Sequence, residues 1–302
     1  ITVLAGGPSA EREISLQSGR AVAAALESLG HSVFVEDIDP QNLSALERDV
    51  DCVFIALHGA FGEDGQVQRI LEQRGIPYCG SASAACALAM DKVRAKQRYE
   101  SLAIPTPRYE VATQQTFQRV TADWRPPLVV KPVKEGSSLA CHLVRTDAQF
   151  RPAVESVIDQ YGRCLIEEYI AGREITVGIL GDQALPPIEI RTRRDFYDYD
   201  AKYVDEDTEY AFEIDLPRDL LDRVGRLSLD AHRELGCRDF SRADWRVDPD
   251  RSEAYLLEVN VIPGFTTHSL LPKAAERAGL TLPMMCQYII ERAMHRNPKP
   301  VP

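Results

Sequence analysis

The sequence lacks the features that would place it in a membrane or on nucleic acid. None of its apolar runs is long enough to cross a bilayer, and the N-terminus carries no charged stretch followed by an apolar leader. Basic residues are in deficit: 35 Lys and Arg against 46 Asp and Glu leave a net charge of −11, which argues against nucleic acid or an anionic membrane as the main partner. Seven cysteines include no Cys-x-x-Cys, a usage expected of reduced thiols in the cytoplasm. Cys52, Cys86 and Cys286 lie in apolar surroundings and read as small core residues. There is no G-x-G-x-x-G, so Gly6-Gly7 gives little support to a dinucleotide site, and there is no internal repeat or low-complexity segment. The chain starts at Ile1 rather than Met, which leads us to expect a few native residues upstream.

What remains is a globular composition, 44% hydrophobic and 27% charged, in a chain of 302 residues, long enough for two or three lobes. Ile1 to Ala5 reads as a short strand, followed by a helix from about Glu11 to Leu29 with Ile14, Val22, Leu26 and Leu29 on one side and Gly30 as its stop. Val33-Phe34-Val35 and Val53 to Leu57 read as two more strands of the buried type, and Gln66 to Arg74 as a helix. This alternation predicts an α/β fold with a doubly wound parallel sheet in the first lobe. A second lobe starts near Asp91, with a helix to Leu102, a break at Ile104-Pro-Thr-Pro107, and strands at Leu128–Pro132 and Cys164–Tyr169. The third holds strands at Glu174–Leu180 and Pro187–Ile190, an exposed segment over 191–210, and a terminal helix from Leu282 to Met294.

The chemistry concentrates late in the chain. In Tyr255-Leu-Leu-Glu-Val-Asn260 the alternation of a strand puts Glu258 and Asn260 on one face, Leu257 and Val259 on the other. Upstream, Phe240-Ser-Arg-Ala-Asp-Trp-Arg246 puts Arg242 and Asp244 on one face. Asp248-Pro249-Asp250 is a turn sequence, so the two strands are expected to pair as a hairpin. An isolated Glu-x-Asn is ordinarily the solvated side of a strand. Gathered with Asp244 and Arg242, these side chains instead form a phosphoryl-transfer cluster, in which Asp244, Glu258 and Asn260 offer hard oxygens to one or two Mg²⁺ ions and a guanidinium neutralises developing charge.

Seven blocks then resemble, in order, the ATP-grasp superfamily, and within it the bacterial D-alanine–D-alanine ligase family. They are Leu4 to Leu16, Ala56 to Gly65, Met90-Asp-Lys92, Val130-Lys-Pro-Val-Lys-Glu-Gly-Ser-Ser138, Ile166-Glu-Glu-Tyr-Ile170, Phe196-Tyr-Asp-Tyr-Asp-Ala-Lys-Tyr203, and the closing Glu-Val-Asn stretch. The resemblance implies a Rossmann-like substrate lobe over 1–90, a central ATP-grasp lobe over 91–176, and a C-terminal lobe over 177–302 with a lid loop and the metal site. It implies a ligase that activates one D-alanine as an acyl phosphate with ATP and Mg²⁺ (Mn²⁺ can substitute) and joins it to a second, for peptidoglycan precursors, as a cytoplasmic homodimer paired through the first lobe.

Residue by residue, the resemblance assigns Lys92, Lys131 and Lys202 to the phosphates and Glu167 to the adenine amino group. Glu174 falls to the ribose, and Glu168, Ile170, Phe196 and Asn260 complete the nucleotide set. Glu11 is assigned to the ammonium of the first D-alanine, with His58 as a further substrate contact. Ser137, Tyr203 and Glu11 form a hydrogen-bonded trio that closes the lid. Arg242 and the Gly264 N–H serve the oxyanion, and Ser269 and Leu270 the second D-alanine. The tyrosine at 203 goes with dipeptide formation rather than use of D-lactate. Glu168 stands where some relatives have lysine, Ser241 and Ala140 replace glycines, and Val261-Ile262 replaces a small hydroxyl pair; none of these removes a ligand. Other readings are a D-alanine–D-lactate or D-alanine–D-serine ligase, another ATP-grasp carboxylate–amine ligase, and a silent nucleotide-binding regulator.

Overall fold

The apolar start of the chain forms β1 (Thr2–Ala5), the middle strand of a parallel sheet ordered β2-β1-β3, with β2 at Phe34–Asp37 and β3 at Val53–Ile55. The computed structural model describes residues 1–192 and 208–296. Helix α1 (Arg12–Glu27) crosses over the sheet and buries Val22 and Leu26 beneath it. It can sit this close because Gly19 has no side chain: a Cβ there would lie 2.4 Å from that of Ala5. Strand order 2-1-3 makes the crossovers diverge between β1 and β3, and the crevice beyond the carboxyl ends of those strands is where such sheets bind ligands. Glu11 and His58 follow those two ends.

Helices α2 (Gln66–Arg74), α3 (Ser83–Met90) and α4 (Lys92–Ser101) lead out of this sheet. A four-stranded antiparallel sheet follows, ordered β4-β7-β5-β6, from β4 (Tyr109–Thr113), β5 (Leu128–Pro132), β6 (His142–Val144) and β7 (Arg163–Glu168). Helices α5 (Phe117–Asp123) and α6 (Asp147–Tyr161) pack on it, the second started by a reciprocal capping box between Thr146 and Gln149. The last sheet contains β8 (Arg173–Leu180), β9 (Gln183–Ala184), β10 (Ile188–Arg191), β11 (Glu209–Ala211), β12 (Phe240–Asp248) and β13 (Glu253–Asn260), in the order β11-β10-β8-β12-β13 with β9 beside β8. Helices α7 (Arg218–Glu234), α8 (Leu270–Arg277) and α9 (Leu282–Arg296) complete this part.

The apolar cores do not follow the three sheets one for one. The four-stranded sheet has its own core, with Val130, Phe150, Val154 and Ile166 at its centre. The first and last sheets share theirs: Val22, Leu26 and Phe54 pack in one cluster with Phe240, Leu271, Met285 and Ile289. Phe265 joins them, its ring centroid 5.1 Å from those of both Phe54 and Phe240 and edge-on to each. That contact pins the loop after β13 to both sheets.

Three sequence expectations are corrected. Strand β2 is an edge strand rather than a buried one, with Phe34 37% and Val35 44% exposed, because only β1 flanks it. Leu29 lies past the end of α1 and is exposed instead of joining the helix's buried side. The lobe boundary at 176/177 falls inside β8, which pairs along its length with β12 and belongs wholly to the last sheet.

A buried carboxylate ties the shared body together. Asp239 is fully buried; its Oδ2 accepts the Gly80 N–H at 2.7 Å, and the Arg296 guanidinium of α9 grips both carboxylate oxygens. Replacing it strands a half-buried guanidinium and a buried amide. Asp239→Ala is therefore expected to destabilise the protein by about 3–5 kcal/mol, read as a lower urea midpoint with an unchanged slope.

Candidate active site

The register of β12 and β13 organises the site. Arg242 pairs with Asn260 and Asp244 with Glu258, while Ala243, Trp245 and Val259 turn into the core. Asp244 is the hub. Its carboxylate takes a two-pronged contact from Arg242 at 2.9 and 2.8 Å, a hydrogen bond from the Thr176 hydroxyl at 2.6 Å, and one from the Asn260 amide at 2.8 Å. Between Asp244 and Trp245 the register slips: Trp245 pairs with Leu256, which leaves Leu257 as an extra residue on β13. Leu256 is consequently buried and Leu257 lines a cavity, the reverse of what strict alternation predicts for Leu257.

Two neighbouring cavities meet at this hairpin, with Gly136 in the wall of both. The first lies between the four-stranded sheet and the hairpin and is lined by Lys92, Lys131, Glu167, Glu174, Asp244 and Glu258 among others. Lys92 donates to the Glu135 carbonyl and its ammonium is 3.5 Å from Glu258. Lys131 lies 2.6 Å from Glu167, whose other oxygen is 2.8 Å from Lys96. Burial alone would raise the Glu167 pKa, but Lys131 and Lys96 outweigh it and hold the carboxyl below its ordinary value. Glu174 pairs with Arg246 at 3.3 Å, and Arg246 also donates to the Ile170 carbonyl. Glu168, exposed at the end of β7, lines the same cavity.

The second cavity contains Glu11, His58, Glu63, Ser137, Arg242, Asn260, Gly264, Ser269 and Leu270 in its lining. Ser137 donates to Glu11, so two members of the expected trio are joined. Tyr203, with Phe196 and Lys202, lies outside the described residues. His58 has both ring nitrogens occupied: Nδ1 faces the Ile262 carbonyl at 3.1 Å and Nε2 the Ser18 hydroxyl at 3.1 Å. A carbonyl can only accept, so Nδ1 carries the proton and Nε2 accepts from Ser18. Burial lowers the His58 pKa against the pull of Glu11, and the ring is neutral. Its polar atoms thus fasten the loop after β13 to β3 and α1. Ser269 sits at the N-cap of α8 without a side-chain cap bond; its hydroxyl turns back to Thr266, contacting N at 3.1 Å and Oγ1 at 2.9 Å. In the first turn of α8 only Leu270 and Leu271 can offer amides to an anion, because Pro272 has no N–H and Lys273 donates to the Ser269 carbonyl. Gly264 is required beside it, since a Cβ there would be 2.5 Å from the Ser269 hydroxyl oxygen.

Glu63 and Leu257 line the two cavities and Lys96 pairs with Glu167 behind the first, and sequence reasoning assigned none of the three to them. Glu63 lies within the quoted block Ala56 to Gly65, but nothing local separated it from Asp64; only the fold shows it 9% exposed, accepting the Gly59 N–H at 2.7 Å. Burial, then the charge of Glu11, push the Glu63 pKa up to about 8.

Residues 34–81 match the family described as D-ala D-ala ligase N-terminus, and residues 99–291 the D-ala D-ala ligase C-terminus. A curated D-alanine–D-alanine ligase of Marinobacter nauticus is 46% identical over 93% of this chain and 87% of its own length. The crystal structure of D-alanine–D-alanine ligase from Bacillus anthracis complexed with ATP superposes with a TM-score of 0.84 at 32% identity, covering 98% of this chain and 97% of that one. The VanG D-Ala:D-Ser ligase of Enterococcus faecalis superposes with a TM-score of 0.85 at 28% identity, covering 97% and 98%.

Glu63 makes stability depend on pH. An acid whose pKa rises from 4.5 in the free chain to about 8 in the fold takes up a proton on folding between those values. Its contribution is full below the lower value and lost as pH rises through the upper one. Glu63→Gln is expected to flatten the fall in unfolding free energy between about pH 5 and 8, measured by urea denaturation across that range.

Proposed function

Because the chain belongs to the D-alanine–D-alanine ligase family, its reaction is the ATP-dependent joining of two D-alanines into D-alanyl-D-alanine for peptidoglycan, and we propose how its residues divide the work. A carboxylate is a poor acyl donor because its carbonyl is electron-rich and oxide is a very poor leaving group. Transfer of the γ-phosphoryl group to the first D-alanine makes an acyl phosphate, and the amine of the second displaces phosphate from it. The observation that carries this reading is the hairpin register: one pair of its residues, Asp244 and Glu258, faces the first cavity, and the pair beside it, Arg242 and Asn260, faces the second. The γ-phosphate of ATP in the first cavity and a carboxylate in the second meet across that strand pair.

In the first cavity Glu167 takes the adenine amino group, with Glu168 and Ile170 beside the base, and Glu174 binds the ribose. Leu257 packs on the nucleotide, and Lys92, Lys131 and Lys202 hold phosphate charge. In the second, Glu11 binds the ammonium of the first D-alanine beside His58, and Ser137, joined to Glu11, links it to Tyr203 of the lid, with Phe196 on the nucleotide side. Arg242 and the Gly264 N–H stabilise the oxyanion, and Ser269 with the first turn of α8, from Leu270, takes the carboxylate of the second D-alanine.

The donors also fit Mg²⁺. Asp244, Glu258 and the Asn260 amide oxygen are hard ligands at neighbouring hairpin positions. That is the partial set expected of an ion shared with phosphate oxygens. Bound there, Mg²⁺, or Mn²⁺ in its place, neutralises phosphate charge. We further assign three lobes, near 1–90, 91–172 and 173–302. The seven free cysteines support the cytoplasm as location, and pairing of two copies through the first lobe is supported by the exposed Phe34 and Val35 of β2.

Phosphate release and product analysis test the reading. ATP with D-alanine is expected to give phosphate and D-alanyl-D-alanine in equal amounts, and ATP with L-alanine neither. A depsipeptide or D-alanyl-D-serine as main product in mixtures with D-lactate or D-serine would move the chain to a neighbouring specificity; absence of phosphate release would make it a regulator. Arg242→Ala is expected to lower kcat on the order of 10²–10³ with little change in KM for D-alanine, since the guanidinium meets charge that appears only during reaction.

A further inference from the structure

Lys96 is the most deeply buried cation described in the protein. It projects from α4 with 0% exposure, and lysine is almost never so placed unless paired. Its ammonium donates to the Thr106 hydroxyl at 2.5 Å, which in turn donates to the Leu256 carbonyl at 2.7 Å. Its charge partner is Glu167 Oε1 at 2.8 Å, and that oxygen has no well-aligned hydrogen bond among the described residues. Lys131 reaches Oε2 of the same carboxylate from the other side at 2.6 Å. The two lysines are not equivalent. Lys131 lines the first cavity and is open to a ligand; Lys96 does not line it and is sealed behind Glu167 by α4 and the segment that carries Thr106.

A base-reading carboxylate must be ionised and fixed before the nucleotide arrives. Taking Glu167 out of water favours its neutral form, in which one oxygen carries a proton and acceptor capacity is lost. A counter-ion that can be drawn off by phosphate cannot prevent this reliably. A counter-ion with no access to the cavity can.

We propose that Lys96 is a positioning residue for nucleotide selection: as the buried counter-ion of Glu167, it holds that carboxylate in place and oriented toward the 6-amino group of the base. This rests on the assignment of Glu167 to the adenine amino group. With Lys96 absent, Lys131 is the only lysine left on a buried anion, and any contact it makes with phosphate is made against the pull of Glu167.

The test compares ATP with inosine triphosphate, which carries an oxygen in place of the 6-amino group, in wild type, Glu167→Gln, Lys96→Met and the double variant of the full chain. Lys96→Met is expected to reduce the preference for ATP over inosine triphosphate, as a ratio of kcat/KM, by about tenfold or more, and to raise KM for ATP while KM for D-alanine stays within about twofold. The double variant is expected to be no less selective and no less active than Glu167→Gln alone, because the two residues act through one another. A Lys96→Met enzyme that keeps the preference, or whose constants for ATP and D-alanine move together with only a lower melting temperature, would overturn the proposal and leave the role of Glu167 standing. If Glu167→Gln itself retains the preference, the assignment of Glu167 fails instead, and with it the premise. Should Lys96→Met not fold, the double variant, which removes both charges, decides: additional loss of ATP activity beyond Glu167→Gln would overturn the proposal.

Discussion

The pairing register of β12 against β13 is the constraint on which the site depends. Side chains on paired strands alternate faces strictly, so a slip of one residue would exchange the buried set for the polar set. With Arg242 opposite Asn260 and Asp244 opposite Glu258, a guanidinium, two carboxylates and an amide are delivered to adjacent points without any loop having to fold around them. The bulge at Leu257 then ends that pattern, turning an apolar side chain toward the first cavity while Leu256 stays in the core. Polar groups and an apolar side chain therefore reach the first cavity from adjacent positions of one strand, Leu257 being the unpaired residue.

Around this hairpin the protein keeps several charges out of water, and each is held differently. Asp239 accepts an amide and a guanidinium, Asp244 is gripped by Arg242, Thr176 and Asn260, and Glu167 lies between two lysines. Glu63, with a carboxylate neighbour and one backbone donor, is instead driven toward its protonated form. Burial disfavours the charged form of Glu167 and Glu63 alike. What differs is that two lysines face Glu167 whereas Glu11 stands near Glu63, so the first is held as an acceptor and the second is pushed toward a form that can donate.

Much of this was legible in the sequence because it is local. The alternation in Phe240 to Arg246 and Tyr255 to Asn260, with a turn sequence between, specified the hairpin, its polar face and its pairing. The helical sequence from Gln66 to Arg74 coincides with α2, and the Gly-rich end of the first strand marks where the chain turns. What escaped depends on distant partners. Lys96 looks like any helix lysine until the fold buries it against Glu167, some seventy positions on. Glu63 is one acid in a run with Asp64, and its burial follows from the second cavity. Leu257 obeyed the two-residue period and was misread because a bulge leaves no mark in composition. Phe34 and Val35 are apolar yet exposed, since sheet order, not side-chain type, made β2 an edge.

The distribution of cores carries a consequence for how the molecule responds to its nucleotide. The four-stranded sheet closes on its own apolar cluster, whereas the first and last sheets share theirs, so the three assigned lobes rest on two bodies of apolar packing. The first cavity is lined from both: Lys131 and Glu167 belong to one body, Asp244 and Glu258 to the other. On the proposed assignment of that cavity to ATP, a bound nucleotide touches both bodies, and part of its binding free energy couples them.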